Sequence, residues 1–126
     1  MDDYKGVIIE ESLKDKAVLK QVRIIETRVS RVTKDHKTPW LAKWTLHTVR
    51  IPAEKAERVA GELSRALDES HGESWYADFR NDRFHFIVFH DRVFRVDVKS
   101  AAQYGQARKY GLSLGIPEYQ LDFTPP

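Results

Sequence analysis

A carboxylate and an imidazole lie seven positions apart in the second half of the chain, at Asp78 and His85. The turn-forming pair Asn81-Asp82 lies between them, and a β-hairpin with this two-residue loop would pair Asp78 directly with His85. Directly opposed residues of an antiparallel pair have their side chains on one face, close enough to interact. A carboxylate beside an imidazole orients the ring and favours its charged form, as a general base requires.

The pair is therefore a candidate for acid–base catalysis in a small enzyme, although the sequence names no third participant. Ser74 and Ser113 lack the sequence context of a nucleophile. A cross-strand ion pair, or a core histidine hydrogen-bonded to a carboxylate, is the commoner role of such residues. We therefore expect a non-catalytic protein rather than an enzyme, and keep His85 with Asp78 as the enzymatic alternative.

No other group of polar residues has the spacing of a metal or cofactor site. The five histidines stand at positions 36, 47, 71, 85 and 90, which gives no HxH, HxxxH or HExxH pattern. The chain has no cysteine, which excludes disulfides, thiol catalysis and Cys-ligated metal centres. Neither standard glycine-rich phosphate loop is present. We expect no metal and no cofactor.

Large aromatic residues form a second kind of candidate site. Trp40 follows a basic loop, Trp44 lies four residues further on, and Trp75 lies in a strand-like segment. Tryptophan and tyrosine are common anchors of binding surfaces. The sequence therefore predicts a surface that binds a protein or a small ligand, while the alternative is that the indoles close the core. The candidates for this surface are Trp40, Trp44, His47, Trp75 and Tyr76.

Positive charge is concentrated in the first half of the chain. The net charge is +2, but Lys14–Arg50 contains ten Lys and Arg against three acidic residues, so this segment carries +7 and the remainder −5. Basic residues interleaved with aromatics can neutralise phosphates and stack bases. The alternative is a solvated pair of strands whose long side chains cover apolar neighbours. Nucleic-acid or polyanion binding is a hypothesis that the small net charge and the lack of a known motif do not favour. It would use Lys34, His36, Lys37 and Lys43.

The elements that must position these residues are predicted from hydrophobic periodicity. The fold class is α+β, with an antiparallel sheet of five or six strands, two longer helices packed on it and one short N-terminal helix that begins near Ser12. The run Phe84–Phe89 is apolar on both faces apart from His85, which is typical of a central strand. The alternating tail favours an edge strand or surface packing. Strands are expected over Tyr4–Ile9, Val22–Val32, Trp44–Ile51, Ser74–Arg80, Phe84–His90 and Val93–Val98, and helices over Ala53–Asp68 and from Ser100 to about Leu114.

Short turns predict a register as well as an order. A loop at Asn81-Asp82 would pair Phe79 with Phe84, and a loop at Asp91-Arg92 would pair Phe89 with Phe94 and Ile87 with Val96. Both loops place the Asp78–His85 pair at one end of an apolar strip.

The length of 126 residues fits one domain, and 14 aromatic residues are enough for a packed core. No apolar stretch is long enough to span a bilayer, and the acidic start lacks the features of a signal peptide, so we expect a cytoplasmic protein that does not contact membranes. The stretches TPWLAKWTLH (38–47), WYADFRND (75–82) and YGLSLGIPEYQLDF (110–123) resemble a group of small uncharacterised prokaryotic proteins of about this length. The resemblance implies a prokaryotic origin, and it implies no activity, cofactor or catalytic residue.

Overall fold

A six-stranded antiparallel sheet runs through the computed structural model, which describes residues 2–31, 41–69, 74–121 and 123. The strands have the spatial order β2-β3-β1-β4-β5-β6, with β1 inserted between β3 and β4. Two α-helices pack on this sheet, α1 (Ala56–Ala66) and α2 (Ala101–Ser113). The strands are β1 (Tyr4–Ile9), β2 (Arg23–Arg31), β3 (Lys43–Ile51), β4 (Tyr76–Arg80), β5 (Phe84–Phe89) and β6 (Arg92–Asp97).

The N-terminal helix differs from the prediction. Two 3-10 helices, Glu10–Ser12 and Lys16–Gln21, take its place. Ser12 caps neither of them, because its hydroxyl donates to the Ile9 carbonyl at 2.6 Å. The cap is Asp15, whose carboxylate accepts from the Ala17 amide at 2.9 Å. The Ser100 cap of α2 is confirmed by a hydrogen bond from the Gln103 amide at 3.2 Å.

The tail also adopts a different local structure. Glu118–Gln120 forms a 3-10 helix after Pro117, and no strand occurs among the described residues beyond α2. Leu121 and Phe123 are both buried against the sheet side that α2 covers. Burial of these apolar side chains fixes the tail without backbone pairing.

The hairpin registers were predicted with turns one residue out of place. The β4–β5 turn lies at Asp82-Arg83 rather than Asn81-Asp82, because the Asn81 side chain accepts from the Arg83 and Phe84 amides at 2.9 and 2.8 Å. Phe79 therefore pairs with Phe86. The β5–β6 turn lies at His90-Asp91, and Asp91 takes the left-handed conformation with φ of 59°.

Each displacement moves every cross-strand partner by two residues and so preserves the face of each side chain. Asp78 is opposite Ile87, and His85 is opposite Arg80, so the predicted direct pairing of Asp78 with His85 is wrong. Ile87 pairs with Phe94 and Phe89 with Arg92, where the expected partners were Val96 and Phe94.

Both faces of the sheet carry a core cluster, and the two clusters differ in extent. On one face α1 packs Val59, Ala60 and Leu63 against residues from β1, β3, β4 and β5. On the other face α2 and the tail cover the β5 and β6 side, where Ile87 and Val96 are buried. Strand β5 was predicted to be a largely buried central strand over Phe84–Phe89; it is buried from His85 to Phe89, Phe84 is partly buried, and the strand lies next to the edge strand β6.

The described helices leave part of the α2 side of the sheet open. We call this the open half-face; it comprises the α2-side residues of β2, β3 and β1. Val7 is 40% exposed there, although it lies on a strand in the middle of the sheet. Its neighbours Ile9, Trp44, Leu46 and Thr48 are only partly buried.

Candidate functional site: an aromatic pocket on the open half-face

A pocket of about 290 Å³ lies where the open half-face meets β4 and the tail. Its floor is made of aliphatic side chains from β1 and β3, its walls are aromatic, and one carboxylate lies among them. This composition is typical of small-molecule sites, which combine an apolar lining with a few fixed polar groups. The lining residues are Val7, Ile9, Trp44, Leu46, Ser74, Trp75, Tyr76, Asp78 and Gln120.

The aromatic walls are held by ring contacts and a hydrogen bond. The indoles of Trp44 and Trp75 lie with centroids 5.2 Å apart, and Trp75 is buried. The Tyr76 ring contacts Phe89 and Phe123 at 5.8 and 5.6 Å, and its hydroxyl donates to the Gln120 carbonyl. Because these rings are fixed before any ligand arrives, binding would immobilise few side chains.

The carboxylate of the pocket belongs to a hydrogen-bonded chain that leads into the core. Asp78 Oδ2 lies 2.7 Å from His85 Nε2, and His85 Nδ1 lies 2.9 Å from the Tyr104 hydroxyl. An ionised carboxylate only accepts, so Nε2 carries a proton and donates to Asp78. Burial raises the pKa of Tyr104, so its phenol stays protonated and can complete the chain.

Asp78 and His85 differ in their access to solvent. The Asp78 side chain is 38% exposed at the pocket, whereas His85 is only 3% exposed and both of its ring nitrogens have partners. A ligand in the pocket could reach the carboxylate but not the imidazole. His85 is therefore suited to orient Asp78 rather than to exchange protons with a substrate.

Among the described residues, no serine or threonine hydroxyl is hydrogen-bonded to His85, as the enzymatic hypothesis would require of a nucleophile. Ser74 lines the pocket, but its hydroxyl is directed to the Leu114 carbonyl, 3.5 Å away, and not to His85. Among the described residues, no group of three or more His, Asp or Glu side chains could hold a metal ion.

The sequence-predicted binding residues divide between the two faces. Trp44, Trp75 and Tyr76 come together at the pocket. His47 lies on the opposite face of β3, buried between Glu10 at 3.0 Å and Thr27 at 2.8 Å. Lys43 is exposed at the start of β3. Four other candidates, Trp40, Lys34, His36 and Lys37, lie outside the described residues.

Several residues of the site were not found by sequence reasoning. Val7 and Ile9 enter the pocket because β1 pairs with both β3 and β4, a long-range arrangement without a local signal. Tyr104 could have been found from its helical spacing with Ala107 and Gly111, which places all three on the buried side of α2.

Two further surface depressions lack this combination of aromatic walls and a carboxylate, as does a third, which is lined by Arg23, Ile24, Ile25 and Arg50. One, lined by Lys14, Glu62, Arg65 and their neighbours, has a volume of about 380 Å³ and no aromatic wall. The other adjoins the aromatic pocket through Trp44 and Leu46 and extends the open half-face toward Arg28.

No protein-family model, curated protein or solved structure matches this chain. No helix among the described residues is long and apolar enough to cross a membrane.

Proposed function

We propose that the protein is a small-ligand-binding module whose pocket takes an amphipathic amine, that is, a molecule with an apolar body and one cationic nitrogen. One observation carries the proposal: a pocket walled by Trp44, Trp75 and Tyr76 contains a single carboxylate, Asp78. Aromatic faces attract cations through the ring quadrupole, and the aliphatic floor favours an apolar body.

The hydrogen-bonding state of Asp78 supports a ligand of this charge. Among the described residues its side chain bonds only to His85, through Oδ2, which leaves Oδ1 at the pocket without a protein donor. The carboxylate can accept a further charge-assisted hydrogen bond at Oδ1, and an ammonium group in the pocket would donate one. An anionic ligand would instead meet a like charge.

The test is to titrate the ¹⁵N-labelled protein with tryptamine and phenethylamine, and with the neutral isosteres indole-3-ethanol and 2-phenylethanol. We expect the amines to shift the amide signals of Val7, Trp44 and Tyr76, and the alcohols to bind at least tenfold more weakly. A charge-assisted hydrogen bond is worth about 1.5–3 kcal/mol, which corresponds to roughly 10- to 150-fold in affinity.

Asp78→Asn is the diagnostic variant, because the amide oxygen can still accept from His85 while the charge is removed. We expect it to reduce amine affinity to that of the matching alcohol. Asp82→Asn, in the exposed β4–β5 turn, is the matched control and should bind as the wild type does. Absence of pocket shifts at millimolar amine, or equal binding by wild type and Asp78→Asn, would refute the proposal.

A further inference from the structure

Four cationic residues lie side by side across four adjacent strands at one end of the sheet. In the strand pairing Arg23 is opposite Arg50, Arg50 is opposite Lys5, and Lys5 is opposite Arg80. Directly paired residues share a face, so all four project from the side of the sheet that includes the open half-face. With about 4.8 Å between strands, the row spans roughly 14 Å. We call these four residues the cationic row.

The cationic row works against folding unless something neutralises it. Like charges directly opposite one another on a sheet are destabilising. Among the described residues, no carboxylate lies within 4 Å of any of the four cations. Glu26 and Asp78 lie one position further along the same face, at its two margins, while Thr48 and Val7 occupy the centre.

The packing does not explain three of these four cations, whereas Arg80 is half-buried and its charge acts on the Tyr104 phenol. Lys5, Arg23 and Arg50 are exposed, and uncharged polar residues would serve a solvated sheet surface equally well. Like charges that lie directly opposite one another on a sheet without a structural benefit indicate a functional site. A row of cations at regular spacing is complementary in charge to a chain of anions.

The same face also carries an aromatic ring further along the strands, the partly exposed indole of Trp44, which contacts Trp75 on one side. Trp44 lies six residues before Arg50 on β3, at a distance of about 20 Å along the strand. Arg28 is paired with Leu46 between the row and the indole, and it is not counted among the phosphate contacts of the row. Cations that follow a backbone, combined with a ring on which bases stack, are the features of single-strand recognition.

We propose that this face binds single-stranded nucleic acid, with the cationic row on the phosphates and Trp44 against a base. A duplex keeps its bases stacked inside and could not place one on the indole, so the single strand is the favoured form. The site differs from the sequence-predicted one, because only Arg23 and Arg50 belong to the basic segment, whereas Lys5 and Arg80 lie outside it.

The experiment measures fluorescence anisotropy of labelled dT12 and U12 with the full-length protein between 50 and 300 mM salt. For single strands, log K falls with log salt at a slope of about −0.7 for each phosphate contact, so four contacts predict about −2.8. The double variant Arg23→Gln/Arg50→Gln should bind about 25-fold more weakly at 0.1 M salt, and its slope should fall to about −1.4.

The matched control is Lys55→Gln/Arg58→Gln, which removes the same charge from exposed positions at α1, on the opposite face of the sheet. We expect it to keep both affinity and slope. Trp44→Leu should weaken binding about tenfold without changing the slope, because stacking is insensitive to salt. Thermal melting of Arg23→Gln/Arg50→Gln separates lost binding from unfolding, since relief of repulsion should leave its Tm equal to or above that of the wild type.

Four results would overturn the proposal: no binding of dT12 or U12 at 50 mM salt, equal losses in the two double variants, tighter binding of a duplex than of the single strand, or unchanged binding by Trp44→Leu.

Asp78→Asn keeps this test independent of the amine proposal. It should abolish amine selectivity, yet it removes an anion from this face and should leave oligonucleotide binding intact or stronger.

Discussion

At the scale of single residues, two histidines stabilise the two faces of the sheet with the same chemistry. His85 lies between Asp78 and Tyr104 on one face, and His47 lies between Glu10 and Thr27 on the other. Each ring is buried with both nitrogens hydrogen-bonded, which is the arrangement that makes a buried polar ring tolerable.

Only one of these two constellations could be predicted from the sequence. Asp78 and His85 lie on adjacent strands of a short hairpin, so local spacing was enough to bring them together. Glu10 and His47 are 37 positions apart and meet because β1 pairs with β3. No local pattern encodes that pairing, and His47 was consequently predicted on the binding surface.

Glu10 makes the acid stability of the protein partly predictable. The hydrogen bond from His47 and the nearby Lys16 ammonium lower the pKa of Glu10. A carboxyl whose folded-state pKa lies below its unfolded value stabilises the fold above the unfolded pKa, and this contribution is lost as pH falls through the folded pKa. Glu10→Gln should therefore reduce the free energy of unfolding by about 1 kcal/mol at pH 7 and by progressively less below pH 4.5.

Urea denaturation at pH 7, 5 and 3 measures this effect, with Glu54→Gln as the control at an exposed position. The control should keep the pH profile of the wild type. If Glu10→Gln loses as much stability at pH 3 as at pH 7, the carboxylate is not the group responsible.

At the scale of elements, turn chemistry explains both the success and the error of the sequence prediction. All six strands were predicted, because each is a short segment rich in β-branched or aromatic residues. Both turns lie one residue away from their predicted positions. The side-chain hydrogen bonds of Asn81 determine the β4–β5 turn, and the left-handed backbone of Asp91 determines the β5–β6 turn. Since the partners moved by two, Asp78 still reaches His85, now as a diagonal neighbour.

Gly6 allows β1 to lie in the middle of the sheet. A Cβ at this position would lie 2.1 Å from the Asp78 carbonyl oxygen and 2.7 Å from the Phe79 Cβ. These neighbours are fixed in β4, so an added methyl would force the two strands apart. Gly6→Ala should lower the free energy of unfolding by about 3 kcal/mol, measured by urea denaturation.

Gly105→Ala is the control for Gly6→Ala, since a Cβ at Gly105, in the interior of α2, would have nothing within 4 Å. That substitution should raise stability by up to about 1 kcal/mol through helix propensity. Equal stabilities for Gly6→Ala and the wild type would show that β1 and β4 are not in close contact.

At the scale of the whole molecule, strand order determines what is exposed. One helix covers one face, the second helix and the tail cover the β5 and β6 side of the other, and the remainder becomes the open half-face. The sequence shows an excess of charge over Lys14–Arg50, but it cannot show that Arg23 and Arg50 line up with Lys5 and Arg80. That juxtaposition exists only once β1 lies between β3 and β4.

The same strand order predicts a gradient of backbone protection across the sheet. β5 lies between two strands and is buried from His85 to Phe89. β2 is an edge strand, and eight of its nine residues are exposed, the exception being the partly buried Ser30. Amide exchange rates follow the free energy of local opening, so the β5 amides should exchange slowest and the outward β2 amides fastest. Hydrogen–deuterium exchange at 10 and 500 μM protein provides the measurement. Protection of β2 that equals that of β5 and increases with concentration would mean that a second copy pairs with this edge, and the gradient predicted for the single chain would be wrong.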